Sequence, residues 1–231
     1  MWVFSFGART RRRWAQVAAA VVLLGLVRWG VQRDAAGLAT TATPEVLSHL
    51  QVDAHLVALT FALSGDTTDG QALEAALAAE NAPVTFFASA RYASGHAALM
   101  RTMVQNGDEV DALAGTGTPA PDRWAAAVGD ATGVRPLFVQ ARNAPPPSAL
   151  VAACTRAGLS VVTWSGAPTV AGLGAALAPG AIIKLPVDAA TIAALPGVAA
   201  VLEQAGYTPV TVAELVAVSE GAQGLVLPAT P

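Results

Sequence analysis

Few side chains in this 231-residue sequence are suited to making or breaking bonds. The three histidines, His49, His55 and His96, stand apart, and none follows a strand-like stretch where catalytic groups gather. The single cysteine, Cys154, sits in an apolar helical run and reads as a buried structural thiol; alone, it can form no intrachain disulfide. Carboxylates offer more. Asp66 and Asp69 follow the strand-like stretch VALTFALSGD (57–66), placed to hydrogen-bond a sugar hydroxyl or to cap a helix starting near Gly70. Asp108, Glu109 and Asp111 would make at most a weak cation site. Two cations stand out, Arg135 and Lys184. A lysine inside Ile182-Ile183-Lys184-Leu185 is out of place in a doubly buried strand, so it needs a partner or a route to solvent. It could snorkel at the edge of the helix layer, or lie near the barrel mouth facing Asp188 or the neighbourhood of Arg135. Trp164 ends another strand-like run, where an indole can stack on a sugar ring; Phe138 and Tyr92 are the other aromatics near such a groove.

These residues are carried by a regular alternation. Strands are expected at 56–61, 84–89, 109–113, 135–140, 159–164, 181–187 and 208–212, and helices at 70–80, 95–105, 121–131, 147–157, 170–177 and 191–205. Short connections between strand and helix indicate a parallel sheet or barrel. Asn106-Gly107 and Ala205-Gly206 mark helix ends, and Ala144–Pro147 is a rigid loop whose last proline can start a helix.

Composition supports buried strands flanked by small-residue helices: 54% of residues are hydrophobic and 13% charged. Charge is unevenly distributed. Arg9, Arg11, Arg12, Arg13, Arg28 and Arg33 precede every acidic residue, leaving 7 basic against 16 acidic groups from Asp34 onward. An acidic body without a basic stripe excludes nucleic acid as the expected partner. The arginine cluster Arg11–Arg13 precedes an apolar run from Trp14 to Val27, flanked by Trp14 and Trp29, with Arg28 able to snorkel. This pattern is expected to be a signal-anchor, or a signal peptide if cleaved, with the N-terminus in the cytoplasm and the body outside. The expected organisation is a cytoplasmic stub and anchor at 1–33, a Thr/Ala/Pro spacer at 34–50, a barrel domain at 51–220 and a patternless tail at 221–231.

Seven landmarks in order carry a resemblance: Val57-Ala58-Leu59-Thr60-Phe61, Pro83-Val84-Thr85-Phe86-Phe87-Ala88, Gly107-Asp108-Glu109-Val110, Val134-Arg135-Pro136, Val161-Val162-Thr163-Trp164, Gly180–Leu185, and the close from Thr191 and Leu195-Pro196 through Gly206-Tyr207 to Val210–Leu215. In order and spacing the body resembles the polysaccharide deacetylase family, the NodB-homology domain, over roughly residues 56–215. The resemblance implies an α/β fold, a distorted (β/α) barrel of that type. It also implies a metal-dependent hydrolysis of N-acetyl groups, and here the chain departs from the family. The general-base aspartate falls at Ala62 and the metal-binding aspartate at Leu63; the metal histidines fall at Leu113 and Gly117, and the general-acid histidine at Pro186. Arg135 is kept where the family uses an arginine to orient its aspartate, although the following Pro-Tyr-Gly is replaced by Leu137, Phe138 and Val139.

Ala, Leu, Gly and Pro side chains neither ligate nor titrate, so the family reaction lacks its metal, its base and its acid. The expectation is an inactive polysaccharide-deacetylase-like domain at the cell envelope, with no cofactor, binding cell-wall glycan or an envelope protein. Its candidate ligand-binding residues are Asp66, Asp69, Arg135, Trp164 and Lys184. The rival expectation is an active peptidoglycan or chitin-like N-deacetylase that uses relocated residues such as Asp66 and Asp69.

Overall fold

In a computed structural model, the segment LVALTFAL forms strand β2 (Leu56–Leu63), and it is the pivot of the fold. Its run is apolar on both faces, as a central parallel strand requires. Val57, Leu59, Phe61 and Leu63 face a helix layer, while Ala58, Thr60 and Ala62 face inward, following the two-residue period of a strand. The structure describes residues 46–64, 68–80, 82–167 and 169–224.

Around β2 are β1 (Val46–Leu47), β3 (Thr85–Ala88), β4 (Glu109–Leu113), β5 (Phe138–Gln140), β6 (Ser160–Val162), β7 (Ala181–Leu185) and β8 (Thr208–Val210). The sheet runs β1-β6-β5-β4-β3-β2-β7, with β8 paired to the first residues of β2, and every ladder is parallel. The sheet curls until its far sides meet. Past β6, Ser165 N–H donates to Ile182 C=O (2.9 Å) and Lys184 N–H to Gly166 C=O (3.0 Å), while His49 bridges Ala181.

The result is a distorted (β/α) barrel. Inside it each strand contributes an apolar side chain: Leu47, Ala58, Phe87, Leu113, Phe138, Val162, Ile182 and Val210. The helices α1 (Gly70–Glu80), α2 (Ala90–Gly95), α3 (Ala97–Gln105), α4 (Pro121–Thr132), α5 (Ser148–Arg156), α6 (Leu173–Ala176) and α7 (Ala189–Ala205) accompany the strands. Their apolar faces meet the outward residues of the sheet in a second, larger core. A last helix, α8 (Val212–Gly224), differs: Val212 and Leu215 enter the inner cluster and plug the end of the barrel where the strands begin.

Several boundaries depart from expectation for identifiable reasons. Val46–Leu47 lies in the segment expected to be spacer, yet it pairs with β6 and buries Leu47. A two-residue strand is too short to show a period in sequence. The segment is clasped at Gly180, whose carbonyl accepts from Leu50 N–H (2.9 Å). Gly180 has φ +82°, and a Cβ there would sit 1.7 Å from the Leu50 carbonyl oxygen, so backbone approaches backbone. The helix expected over 95–105 forms as Ala97–Gln105, and a short helix that was not expected, α2, precedes it across a break at His96; α2 is capped by Ser89, whose Oγ accepts from Tyr92 N–H (3.2 Å). The expected strand end at Val212 is the start of α8, which continues through Gly224 into residues expected to be tail. The expected membrane segment at 14–31 lies outside the described residues; among those described, no helix is long and apolar enough to cross a membrane.

Candidate functional site

The positions where the resemblance places catalytic groups gather at the end of the barrel where the strands finish. Ala62 closes the inward row of β2 and is half-buried. Pro186 follows directly from β7, whose Leu185 is level with Phe61, and is exposed. Leu113 ends β4 opposite Gln140, buried in the lumen, and Gly117 lies on the exposed loop beyond it with φ +82°. Leu63 does not face the lumen at all: it is fully buried in the layer between sheet and helices. The residues present do not fit a metal, because none of these side chains can donate to one. Among the described residues, no three His, Cys, Asp or Glu side chains come together as a ligand set.

The histidines are occupied elsewhere. His55 stacks on Tyr207 with centroids 5.0 Å apart, and His96 stacks on Tyr92 at 4.1 Å. Cys154 is fully buried, and burial, then the Asp122 charge, pushes its thiol up to about 11.

The rim instead carries cations and an indole. Lys184 belongs to the inward row of β7, two residues after Ile182 and level with Thr60. Its ammonium lies 4.2 Å from the ring centroid of Trp164, which follows β6. Of the two orientations open from sequence, the structure takes the inward one, and the partner is an aromatic face rather than Asp188. Asp188 caps α7, accepting from Thr191 N–H at 2.7 Å. Burial, then the charge of Arg142, lowers the Lys184 pKa from the ordinary lysine value.

Arg142 was missed by sequence reasoning. It leaves the finishing end of β5, with Nε donating to Ala114 C=O (2.6 Å). Arg135 was expected near the site but is exposed and precedes the starting end of β5, so it does not reach this rim. The signal that could have found Arg142 is its spacing to Pro145-Pro146, an arginine and prolines just past a strand, as the resemblance asks.

Below the rim, Gln140 Nε2 donates to Thr60 Oγ1 (3.2 Å), and Thr60 Oγ1 donates to Ile183 C=O (3.2 Å). Gln140 and Thr60 lie on β5 and β2, so this bond crosses the lumen. Beside the rim an open cleft of ≈ 720 Å³ is lined by Trp164, Thr163, Pro145, Pro146, Ser148 and Val46, among others. Asp69 is half-buried, and its carboxylate accepts from the neighbouring Thr68 hydroxyl (3.5 Å). Asp66 lies outside the described residues. Tyr92 and Phe138, expected near the groove, are 1% and 5% exposed and form core.

The acidic residues expected to make a weak cation site are spent on structure. Glu109 Oε2 accepts from Thr85 Oγ1 (2.8 Å) and Ala213 N–H (3.1 Å), so it holds the start of α8. Asp111 Oδ1 accepts from Leu137 N–H (2.8 Å) and Phe138 N–H (3.2 Å). Asp108 Oδ1 accepts from Val84 N–H (3.1 Å).

No family model matches the sequence, and no curated protein matches it. Solved structures do. A CE4 family pseudoenzyme from Bacillus anthracis superposes with a TM-score of 0.67 at 16% identity, covering 76% of this chain and 70% of that one. The peptidoglycan deacetylase PdaC from Bacillus subtilis gives 0.64 at 16% identity, covering 79% and 96%. A family 4 carbohydrate esterase from Streptomyces lividans, in complex with acetate, gives 0.60 at 23% identity, covering 69% and 93%. The chain has the fold of the family 4 carbohydrate esterases, the polysaccharide deacetylase or NodB-type barrel, with none of that resemblance's metal-binding or acid–base groups at the positions expected to carry them.

Proposed function

We propose that this protein is a catalytically silent barrel of the deacetylase type that binds glycan at the cell envelope. The carrying observation is the exchange at the rim. Ala62, Leu113, Gly117 and Pro186 stand at the positions of hydrolytic groups, while Trp164 and the apolar cleft beside it offer a surface for a sugar ring. Amide hydrolysis needs a polarised carbonyl, an activated water, a base and an acid, and these side chains supply none of them. Binding needs less: an aromatic face and a few polar groups suffice.

The same fold is known without activity. The Bacillus anthracis protein is described as a pseudoenzyme, and a variant of it has restored enzymatic activity. The arginine cluster and apolar run at 11–31 support placing this barrel outside the cell, held by its N-terminal segment.

The test is a pull-down of the full chain, in mild detergent, on insoluble peptidoglycan and chitin, with acetate release followed in parallel. Saturable binding that weakens in Trp164→Ala, without acetate release above a vector control, is the expected result. Metal-dependent acetate release would overturn the silent reading in favour of relocated catalytic residues. Absence of binding to both polymers would replace glycan by a protein partner.

A further inference from the structure

Lys184 is the only lysine in the sequence, and it stands on the inward face of a strand that is otherwise buried. Neither Lys184 nor Arg142 has an ion-pair partner among the described residues. The acidic residue nearest Lys184 in sequence, Asp188, caps α7, while the buried Glu109 and Asp111 of β4 bind backbone N–H groups. Both stand at the end of the barrel where the strands finish, Lys184 on the inward row of β7 and Arg142, exposed, just past β5, near enough for the Arg142 charge to lower the Lys184 pKa.

Both are held in place rather than left to wander. The Trp164 ring fixes the ammonium at 4.2 Å from its centroid, and the Ala114 carbonyl fixes Arg142 through Nε. That contact uses one of the five guanidinium N–H donors and leaves four. A fixed ammonium and a partly free guanidinium make a receptor for an oxyanion, since charge-assisted hydrogen bonds are the strong ones and arginine matches carboxylate and phosphate geometry.

We propose that Lys184 and Arg142 form a binding site for an anionic group, a carboxylate or phosphate carried by the glycan whose ring stacks at Trp164. The inference rests on the glycan reading for the ring and is independent of it for the charge. Where the deacetylase resemblance would set aspartates and histidines around a metal, this rim carries a lysine and an arginine, so its preferred ligand is an acidic saccharide and not a neutral N-acetylated one.

Being the sole lysine, Lys184 reports on its own site. In the full chain at pH 8, acylation by an amine-reactive ester is followed by mass spectrometry of the peptide that contains Lys184, with the N-terminal amine as internal reference. The probes are an oligohexuronate, poly(glycerol phosphate), inorganic phosphate and neutral chitotriose. The expected result is about tenfold slower acylation of Lys184 with one of the two polyanions, an unchanged N-terminal amine and little protection by chitotriose. Which polyanion protects distinguishes carboxylate from phosphate. In Arg142→Gln the polyanion protection falls; by retention on a resin coupled to the same polyanion, Lys184→Arg keeps binding where Lys184→Met loses it, each variant being checked for native melting.

Equal protection by chitotriose and the polyanions would overturn the anion site while leaving the glycan reading intact. Protection by inorganic phosphate and by no saccharide would keep the anion site and end the glycan reading. No protection by any probe would overturn the site.

Discussion

Glu109 and Asp111 sit two residues apart on β4 with both carboxyl groups turned into the barrel, and their coupling is one-sided: the Glu109 charge raises the cost of ionising Asp111, while the hydrogen bond from Asp111 eases the ionisation of Glu109. Burial is the main cause of the upward pKa shift at both; at Asp111 the Glu109 charge and their mutual hydrogen bond add to it, while backbone N–H groups at each oppose it. Asp111 Oδ2 accepts no hydrogen bond. A carboxyl that keeps its proton and shares it with the neighbouring carboxylate needs none. Asp108, nearby, is raised to about 6 by burial, partly offset by the Val84 N–H and reinforced by the Glu74 charge.

The stability of the fold is therefore expected to fall as pH rises. Each group binds its proton more tightly folded than unfolded, so its contribution is complete below the unfolded carboxylate range and is lost as pH climbs through the folded value. For Asp108 that window runs from about 4 to about 6; for Asp111 it extends higher. Urea midpoints at pH 5 and pH 8 check this: the pH 5 midpoint should be higher. Asp111→Asn keeps the acceptor for Leu137 and Phe138 and puts an N–H in place of the shared proton. It should flatten the slope and raise the pH 8 midpoint.

Arg142→Gln should raise the Lys184 pKa toward the ordinary lysine value, because one of the two causes of its lowering is removed. Reductive methylation with ¹³C-formaldehyde gives a single side-chain lysine signal in this protein. Its titration by NMR reads the shift directly. Trp164→Ala should move the chemical shift of that signal, since the ring current 4.2 Å away is lost.

Placing aspartates at Ala62 and Leu63 and histidines at Leu113, Gly117 and Pro186 should not restore deacetylation here. Leu63 is fully buried in the apolar layer beside the helices, so Leu63→Asp alone should cost at least about 3 kcal/mol. Gly117 has φ +82°, a conformation that strains a histidine. The measurement is zinc content and acetate release of the five-fold variant against the parent chain. Stoichiometric zinc would refute the outward placement of Leu63.

Gly180→Ala should be among the most destabilising single-methyl additions in the protein, at least about 2 kcal/mol by denaturant midpoint. Its Cβ would meet the Leu50 carbonyl oxygen at 1.7 Å and undo the clasp on the entry segment. Gly107→Ala serves as control. It also has positive φ, but its Cβ would meet open space, so only conformational strain of about 1 kcal/mol is expected.

Most of the barrel was legible because its strands are apolar runs between turn signals. Glu109–Leu113 and Gly70–Glu80 fall where periodicity and composition place them. β1 was not legible, since Val46-Leu47 becomes a strand only when β6 is beside it. The rim was half legible. Lys184 and Trp164 stood out by type, but their contact joins residues 20 apart, one on β7 and one just past β6, which no local pattern encodes. Arg142 was hidden because Arg135 offered a competing arginine-proline pair at the other end of the same short strand. The paired carboxyls of Glu109 and Asp111 read as a weak cation site in one dimension. In three they are anchors for the backbone of α8 and of the residues entering β5.

The bond from Gln140 to Thr60 has a further meaning for traffic. Both side chains are fully buried and meet across the barrel, while Val212 and Leu215 stopper the opposite mouth. The interior is a dish and not a tunnel, with a single door through which any visitor must both arrive and depart. On the glycan reading, a polymer would lie across that rim and could not be threaded through the barrel. Interior sugars of a strand and free chain ends should then be received alike.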